Sequence, residues 1–385
     1  MLVHNTIGRG TFDRAHSLAR HLVKRDHKVT LFAGANARAA ARRHIMDGVE
    51  VIEGFDPFAA RGRESGLSPF ELFNRFRGMR SLRWDLIHCF DHRPAVSLPG
   101  LILSRSRGTP CIFDWADLWG REGIAGERPF LPRTFLGTFD HVMENEVRRR
   151  ADGLTVISTA LLARAQTRFR APAYLLQVGA NADLIRPLSK AETRHKLGLP
   201  LDVSIAVHTG LAPYDMPYLG RAFVELAKRN PKAYLVMAGR RFPVLEQIVE
   251  SAGFLKRYVH LGLLDREPLT AAMACADVLL IPFTNRSVNR FRHPNKLGDY
   301  ISAGRPIVTN RTGDLGLLVE RERVGLVADD TPESYANAIQ KLFTDPALAD
   351  ELGRRGRELA ETKLDWSFLT ADLDRFYHEI LSSRR

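Results

Sequence analysis

The strongest constraint in this sequence is a β/α alternation that runs once, stops, and starts again. In the first half, runs rich in β-formers at 28–33, 49–55, 86–90, 110–114, 153–158 and 174–178 are separated by stretches with helical patterning. The clearest helix spans 12–25, where Ala15, Leu18, Ala19, Leu22 and Val23 fall at i, i+3, i+4, i+7 and i+8 and form one apolar stripe. The alternation resumes with strands at 203–209, 233–238, 258–261, 277–282, 306–309 and 325–328, and helices at 218–228, 267–275, 295–302, 332–343 and 347–360. Parallel strands need crossover helices on both sheet faces, so the pattern predicts two consecutive doubly wound α/β domains. Gly179, Asn181 and Pro187 cluster at the join, near 179–190. A last helix, 366–381, follows a break at 363–365.

Length and composition agree. The 385 residues are 45% apolar and 26% charged, enough apolar side chains for two cores and too many for a disordered chain. The longest apolar candidate for a membrane span, 95–103, is half of the roughly 18 residues required and contains Ser97, Pro99 and Gly100. No basic segment followed by an apolar core opens the chain, so no secretory leader is expected. Only Met1–His4 precede the first glycine turn, which leaves two alternatives: a very short first strand or a start further upstream. Cys89, Cys111 and Cys275 are odd in number, far apart and set in apolar strings, the usage of buried reduced thiols in a cytoplasmic protein. No Cys/His spacing suggests a metal. The net charge is +12, and residues 1–185 hold 27 Lys and Arg against 19 Asp and Glu, a surplus that suits an anionic partner. No nucleic-acid-binding motif accompanies it, and no nucleic-acid partner is expected.

Three segments carry chemistry. Gly8-Arg9-Gly10-Thr11 lies between the first strand and the first helix, where glycines let backbone N–H groups approach an anion. Asp13 stands where a third glycine would complete a dinucleotide fingerprint, and Ala33-Gly34 ends the next strand without an acid, so no dinucleotide cofactor is expected. Phe113-Asp114-Trp115-Ala116-Asp117-Leu118-Trp119-Gly120 follows the strand from Pro110, at the end where open α/β sheets bind ligands. Its aromatics suit an apolar sugar face and its acids suit hydroxyls or a proton; His88, Asp91 and His92 close the neighbouring strand. The plainer alternative places Trp115 and Trp119 in the core and Asp114 at a helix cap. The third segment runs from Arg290-Phe291-Arg292-His293-Pro294-Asn295-Lys296-Leu297-Gly298-Asp299-Tyr300 to Gly304-Arg305-Pro306. Lys296, Asp299 and Tyr300 share a helix face. A carboxylate there can accept both ribose hydroxyls, while Arg290, Arg292 and Lys296 with the helix start can hold a diphosphate.

This third string resembles the donor-site helix of family-4 retaining glycosyltransferases of the GT-B fold, with their P-x-K-L-x-E-Y-x-A-x-G-K/R-P run. The similarity extends along the chain: Arg25-Asp26-His27-Lys28-Val29-Thr30 to an R-G-H-x-V-T segment, Ala151–Ser158 to an A-D-x-h-h-x-h-S strand, Val178-Gly179-Ala180-Asn181 to the interdomain motif, Ala276–Pro282 to an A-D-h-h-h-x-P strand, and Asp365-Trp366 to the tryptophan near the last helix.

The resemblance implies two Rossmann-like doubly wound parallel-sheet domains facing a cleft: 1–180 binding acceptor, 181–362 binding a nucleotide-sugar, and 363–385 a helix returning to the first domain. It implies glycosyl transfer with retention, with a nucleotide-diphosphate sugar as co-substrate and neither metal nor cofactor, in surface polysaccharide or glycoconjugate synthesis. Asp114, Asp117 and His92 are the expected catalytic residues. Gly8, Gly10, Arg240, Arg290, Arg292, Lys296, Leu297 and Asp299 are the expected donor-binding ones. Two departures stand out. Phe291 occupies the place of the first acid of the E-x7-E pair, and Gly210-Leu211-Ala212-Pro213-Tyr214-Asp215-Met216 lacks the Arg and Lys of the diphosphate clamp. An inactive GT-B protein serving as a binding module or partner subunit is the alternative. Phe70–Arg80 mixes aromatics with arginines at helical spacing and suits peripheral contact with an anionic membrane, as a lipid-linked acceptor would require; an ordinary amphipathic helix is the alternative.

Overall fold

The computed structural model describes residues 1–34, 42–54, 56 and 66–383. Two compact units emerge: one of Met1–Val178, Phe291–His293 and Trp366–Arg385, the other of Gly179–Arg290 and Pro294–Asp365.

The first unit is built on β1 (Leu2–Val3), β2 (Thr30–Ala33), β3 (Arg42–Met46), β4 (Val49–Glu53), β5 (Ile87–Phe90), β6 (Cys111–Trp115), β7 (Gly153–Val156) and β8 (Ala173–Leu175). They form one sheet in the order β3-β4-β2-β1-β5-β6-β7-β8. All neighbours are parallel except β3, which turns back antiparallel on β4. Neighbouring residues of a strand go to opposite faces, as the pleat dictates. Val3, Leu31, Phe90 and Ile112 pack with the helices Thr11–Val23 and Trp366–Ser382, while Leu2, Phe32, Cys89 and Phe113 pack with Met79, Val96 and Val147 from the helices Pro69–Arg80, Pro94–Arg107 and Phe130–Arg149. The expected first strand is thus only two residues long, but it is central: Leu2 faces Phe32 on one side and Cys89 on the other. Residue 55, placed in the strand 49–55 by its sequence, lies outside the described residues.

The last helix is fixed by polar ties as well as apolar packing. His88 Nδ1 lies 2.6 Å from the Tyr377 hydroxyl, and Asp374 accepts from Arg25 Nε at 2.9 Å and pairs with His27 at 2.8 Å.

The second unit contains β9 (Ser204–Gly210), β10 (Ala233–Gly239), β11 (Tyr258–His260), β12 (Val278–Ile281), β13 (Ile307–Asn310) and β14 (Gly325–Ala328), all parallel, in the order β11-β10-β9-β12-β13-β14. Ile205, Val207, Leu279 and Ile281 face one core; Ala206, Val278 and Leu280 face the other. Strand order reverses between β1 and β5 in the first sheet and between β9 and β12 in the second. Crevices for ligands open at the carboxyl ends of such strands.

The three cysteines are buried and unbridged. Cys89 Sγ and Cys111 Sγ lie 3.9 Å apart, and Gly100 leaves the room they occupy: a Cβ there would sit 2.6 Å from the Cys89 sulfur. Burial pushes the Cys111 thiol well up and the Cys275 thiol to about 12. No helix among the described residues is long and apolar enough to cross a membrane.

Candidate active site

At the reversal point of the second sheet, β9 and β10 both end in glycine with backbone in the region that favours it, Gly210 at φ 154° and Gly239 at φ 128°. A side chain on Gly239 would collide with the Gly210 carbonyl, and a Cβ on Gly210 would lie 2.7 Å from Lys296 Nζ. The lysine ammonium therefore occupies the space above the bare end of β9. Lys296 opens the helix Lys296–Ser302, whose buried face is Leu297, Tyr300 and Ile301. The Tyr300 hydroxyl accepts from the Thr209 N–H at 2.8 Å and donates to the Leu280 carbonyl at 3.4 Å, which ties this helix to β9 and β12.

Beneath Lys296 lies His208, fully buried. Burial, then the charge of Lys296, holds its pKa well below the ordinary value, so the ring is neutral. Nδ1 sits 2.9 Å from the Leu280 carbonyl and must carry the proton to donate to it; Nε2 is left as an acceptor 3.3 Å from Lys296 Nζ. The ring orients the ammonium without cancelling its charge. Asp299 lies half-buried one turn along the same helix. Arg240 is exposed at the end of β10, its N–H bonded to the Gly210 carbonyl at 3.1 Å. Arg290 is exposed and donates from Nε to Asn285 Oδ1 at 2.7 Å. In the loop after β9, Asp215 is buried and accepts from Thr284 Oγ1 at 2.6 Å and Asn289 Nδ2 at 2.9 Å, so a carboxylate organises the loop that has no basic residue.

Three expectations at this site need correction. Leu297 is completely buried in the core, so its side chain contributes packing and not a ligand contact. Arg292 groups with the first unit and not with the helix that carries Lys296, and there its Nε lies 3.3 Å from Asp117 Oδ1. At the start of the short helix the N–H groups of Leu297 and Gly298 already donate to the Pro294 and Asn295 carbonyls, at 3.0 and 3.2 Å, so its contribution is the Lys296 and Asp299 side chains.

At the reversal point of the first sheet, a buried ionic lattice surrounds Asp91 and His92. Asp91 pairs with His4 Nδ1 at 3.1 Å and His92 Nδ1 at 2.7 Å. It holds φ 151°, a strained value for a residue with a side chain. Burial opposes a charged His92, but Asp91 on one side and Asp140, 3.4 Å from Nε2, on the other outweigh it and raise the ring's pKa. Asp140 also binds Arg93 at 2.8 Å and Arg128 at 2.9 Å. The Arg93 guanidinium lies 4.2 Å over the Trp119 ring. His92 is thus a fully enclosed bridge, not an open acid–base group. Asp114 is likewise engaged: both oxygens accept from Arg14 at 3.1 Å, and Oδ1 accepts from Thr155 at 2.6 Å. Trp115 is core, its Nε1 donating to Glu144 at 2.7 Å; the same carboxylate accepts from the N–H groups of Trp119 and Gly120, each at 3.0 Å.

Asp117 is the acid left facing the crevice, with its side chain one-third exposed. A recess lined by Thr11, Asp91, Asp114, Asp117 and Trp119 lies beside it. Burial pushes its carboxyl up to about 6; Arg292 opposes this, and Asp91 and Glu144 add to it. The Gly8–Gly10 turn borders the same edge. Asn5 Oδ1 accepts from both the N–H and the hydroxyl of Thr11 at 2.8 Å, and a Cβ on Gly10 would lie 2.6 Å from that oxygen.

The family models match where these two units lie. One described as Glycosyl transferase 4-like domain spans residues 9–181, and one described as Glycosyl transferases group 1 spans 205–345. Together they cover most of the chain, which belongs to this family of GT-B glycosyltransferases. A D-inositol 3-phosphate glycosyltransferase of Streptomyces avermitilis is 28% identical over 74% of this chain and 63% of its own length. A second, from Acidothermus cellulolyticus, is 26% identical over 81% and 71%. The chain covers between 50% and 63% of the length of the first three such relatives. Among solved structures, sucrose-phosphate synthase of Thermosynechococcus elongatus superposes with a TM-score of 0.80 at 19% identity, covering 99% of this chain and 98% of that one. HepE of Anabaena, in complex with UDP and glucose, gives 0.73 at 18% identity, with 98% of each chain covered. These likenesses establish the GT-B fold.

Proposed function

We propose that the protein transfers a glycosyl group from a nucleotide-diphosphate sugar to an acceptor hydroxyl with retention of configuration, in glycoconjugate or surface polysaccharide synthesis. The observation that carries this is the Lys296 ammonium, held by neutral His208 over the glycine-bare end of β9. A cation so placed, at the point where an open sheet receives ligands, suits a diphosphate whose charge grows as the anomeric bond breaks. Asp299 then takes the ribose hydroxyls, and Arg240 and Arg290 flank the phosphates. In the reaction the acceptor oxygen bonds to the anomeric carbon from the face of the departing group. The bond from that carbon to the diphosphate oxygen breaks, and the acceptor proton passes to the diphosphate. Asp117 orients the acceptor hydroxyl.

Titration calorimetry with UDP and GDP, followed by a panel of nucleotide sugars, tests this reading; folded protein that binds none and releases no nucleotide refutes it. Proton NMR of the first-formed product reads its anomeric configuration, and inversion refutes retention. The loop from Gly210 to Asp215, which lacks the basic clamp, favours a second reading, an inactive binding module. That reading predicts that Lys296→Ala and Asp299→Ala preserve biological function in complementation.

A further inference from the structure

At the ligand-facing end of the first sheet, one buried cation keeps hydrogen-bonding capacity that the fold does not use. Arg148 lies in the last turn of the helix Phe130–Arg149, and its side chain runs back toward the helix start, as Cα–Cβ bonds in a helix do. Its guanidinium rests 4.3 Å over the Trp115 ring, and the side chain is 1% exposed. Among the described residues its only hydrogen bond runs from Nη1 to the Glu144 carbonyl at 2.7 Å. Nε is buried without a partner. The Glu144 carboxylate, 3.9 Å from Nη1, is already engaged by the Trp115 indole and by the N–H groups of Trp119 and Gly120. A guanidinium carries five N–H donors, and buried polar groups are normally paired.

Arg148 lines the recess beside Asp117, together with Asp91, Asp114 and Trp119. The recess has a volume of about 10 Å³, room for one hydroxyl or water oxygen and too little for a phosphate or carboxylate group. Its charges also disfavour an anion, because three aspartates line it and Arg148 is the one cation among the described lining residues. A neutral hydroxyl suits both halves: its oxygen accepts from the guanidinium, and its proton goes to a carboxylate. We infer that Arg148 is an acceptor-binding residue. Its guanidinium holds the oxygen of one acceptor hydroxyl in this recess, next to the reacting hydroxyl that Asp117 orients, so the acceptor is a polyol with neighbouring hydroxyls, of the sugar or cyclitol kind, and carries no charged group at that position. This assignment rests on the transferase reading. It differs from a purely structural cation over Trp115 in one measurable respect: only a residue that touches substrate shares binding energy with one particular substrate hydroxyl.

A cycle that changes enzyme and substrate together tests it. The best acceptor from a panel of methyl glycosides and inositols is compared with its monodeoxy analogues, for wild type and for Arg148→Met, which keeps an apolar stem over Trp115 and leaves Glu144 its three N–H donors. Arg148→Met should raise the acceptor KM roughly 10- to 100-fold and leave the donor KM within about twofold. One deoxy analogue should be as poor for wild type as the intact acceptor is for the variant, and the variant should lose less than about twofold more with it. Arg148→Lys, which returns one ammonium, should recover part of the loss, and it carries the cycle if the methionine variant does not fold. Losses that multiply for every analogue, or equal changes in donor and acceptor KM, overturn the inference and leave Arg148 a structural cation beside a water site. Donor turnover with no member of the panel accepted also overturns it, since every member displays neighbouring hydroxyls. Calorimetry with nucleotides runs alongside on the wild type. Nucleotide binding and turnover with multiplying losses sink the Arg148 assignment alone, whereas no binding and no nucleotide release sink the transferase reading and this inference with it.

Discussion

The ligand-facing ends of the two sheets are built on opposite electrostatic plans. The first is an ionic lattice that neutralises itself: Asp91 between His4 and His92, Asp140 between His92 and two arginines, Glu144 against Arg148 and two backbone N–H groups. The second places one ammonium over bare backbone and steadies it with an uncharged ring. Fixed opposite charges make a stiff wall with little net field, suited to positioning a neutral hydroxyl. The His208 ring adds no charge of its own to that of the ammonium. Under the proposed transfer, the contrast gives the two ends to different ligands.

Breaking the lattice should have the largest effect. Glu144→Ala strips a buried carboxylate from Arg148, the Trp115 indole and two N–H groups, and should cost about 3–5 kcal/mol in chemical denaturation. The same loss of stability from Lys296→Ala would erase the contrast. Lys296→Ala should instead leave the melting temperature nearly unchanged and weaken nucleotide diphosphate binding roughly 10- to 100-fold in calorimetry. His208→Leu should reproduce most of that weakening. His208→Gln, which can both donate to Leu280 and accept from Lys296, should restore affinity to within about threefold.

Gly10→Ala should cost about 1–3 kcal/mol, since its φ of 44° disfavours a side chain and the new Cβ would meet Asn5. The smallest effect concerns pH. A carboxyl raised to about 6 in the folded state binds its proton more tightly there than in the unfolded chain. Its contribution to stability therefore falls as pH rises from about 4 to about 6 and stays low above that. Asp117→Asn should remove this slope, so stability of the variant relative to wild type should rise across that window in urea titrations; a flat difference would place Asp117 in ordinary solvent.

The second sheet was legible because buried parallel strands such as Val278–Ile281 are continuous apolar runs between glycine, proline and helical patterning. The edge strand Arg42–Met46 was not: its Arg-Arg-His-Ile-Met sequence pairs on one side only and faces solvent. The helix Phe130–Arg149 was equally hidden, because Phe135 and Phe139 point outward and blur the stripe that Val147 shares with the core. At the site, Lys296 announced itself through its proline and glycine context. His208 is one polar residue in an apolar strand, and nothing local distinguishes it. The engagement of Asp114 is hidden for another reason: its partner Arg14 is one hundred residues away, and only the fold brings them together. Arg292 groups with the first unit while its neighbours Arg290 and Pro294 group with the second, because adjacency in sequence does not fix which unit a residue joins.

The enclosed sulfurs have a practical corollary. Cys89, Cys111 and Cys275 are buried out of reach of alkylating reagents while the protein stays folded, so a spectroscopic label can be attached at a single engineered cysteine with all three left in place. Conversely, slow uptake of such a reagent by the unmodified chain would time the opening of each core, since Cys89 and Cys111 report on the first unit and Cys275 on the second.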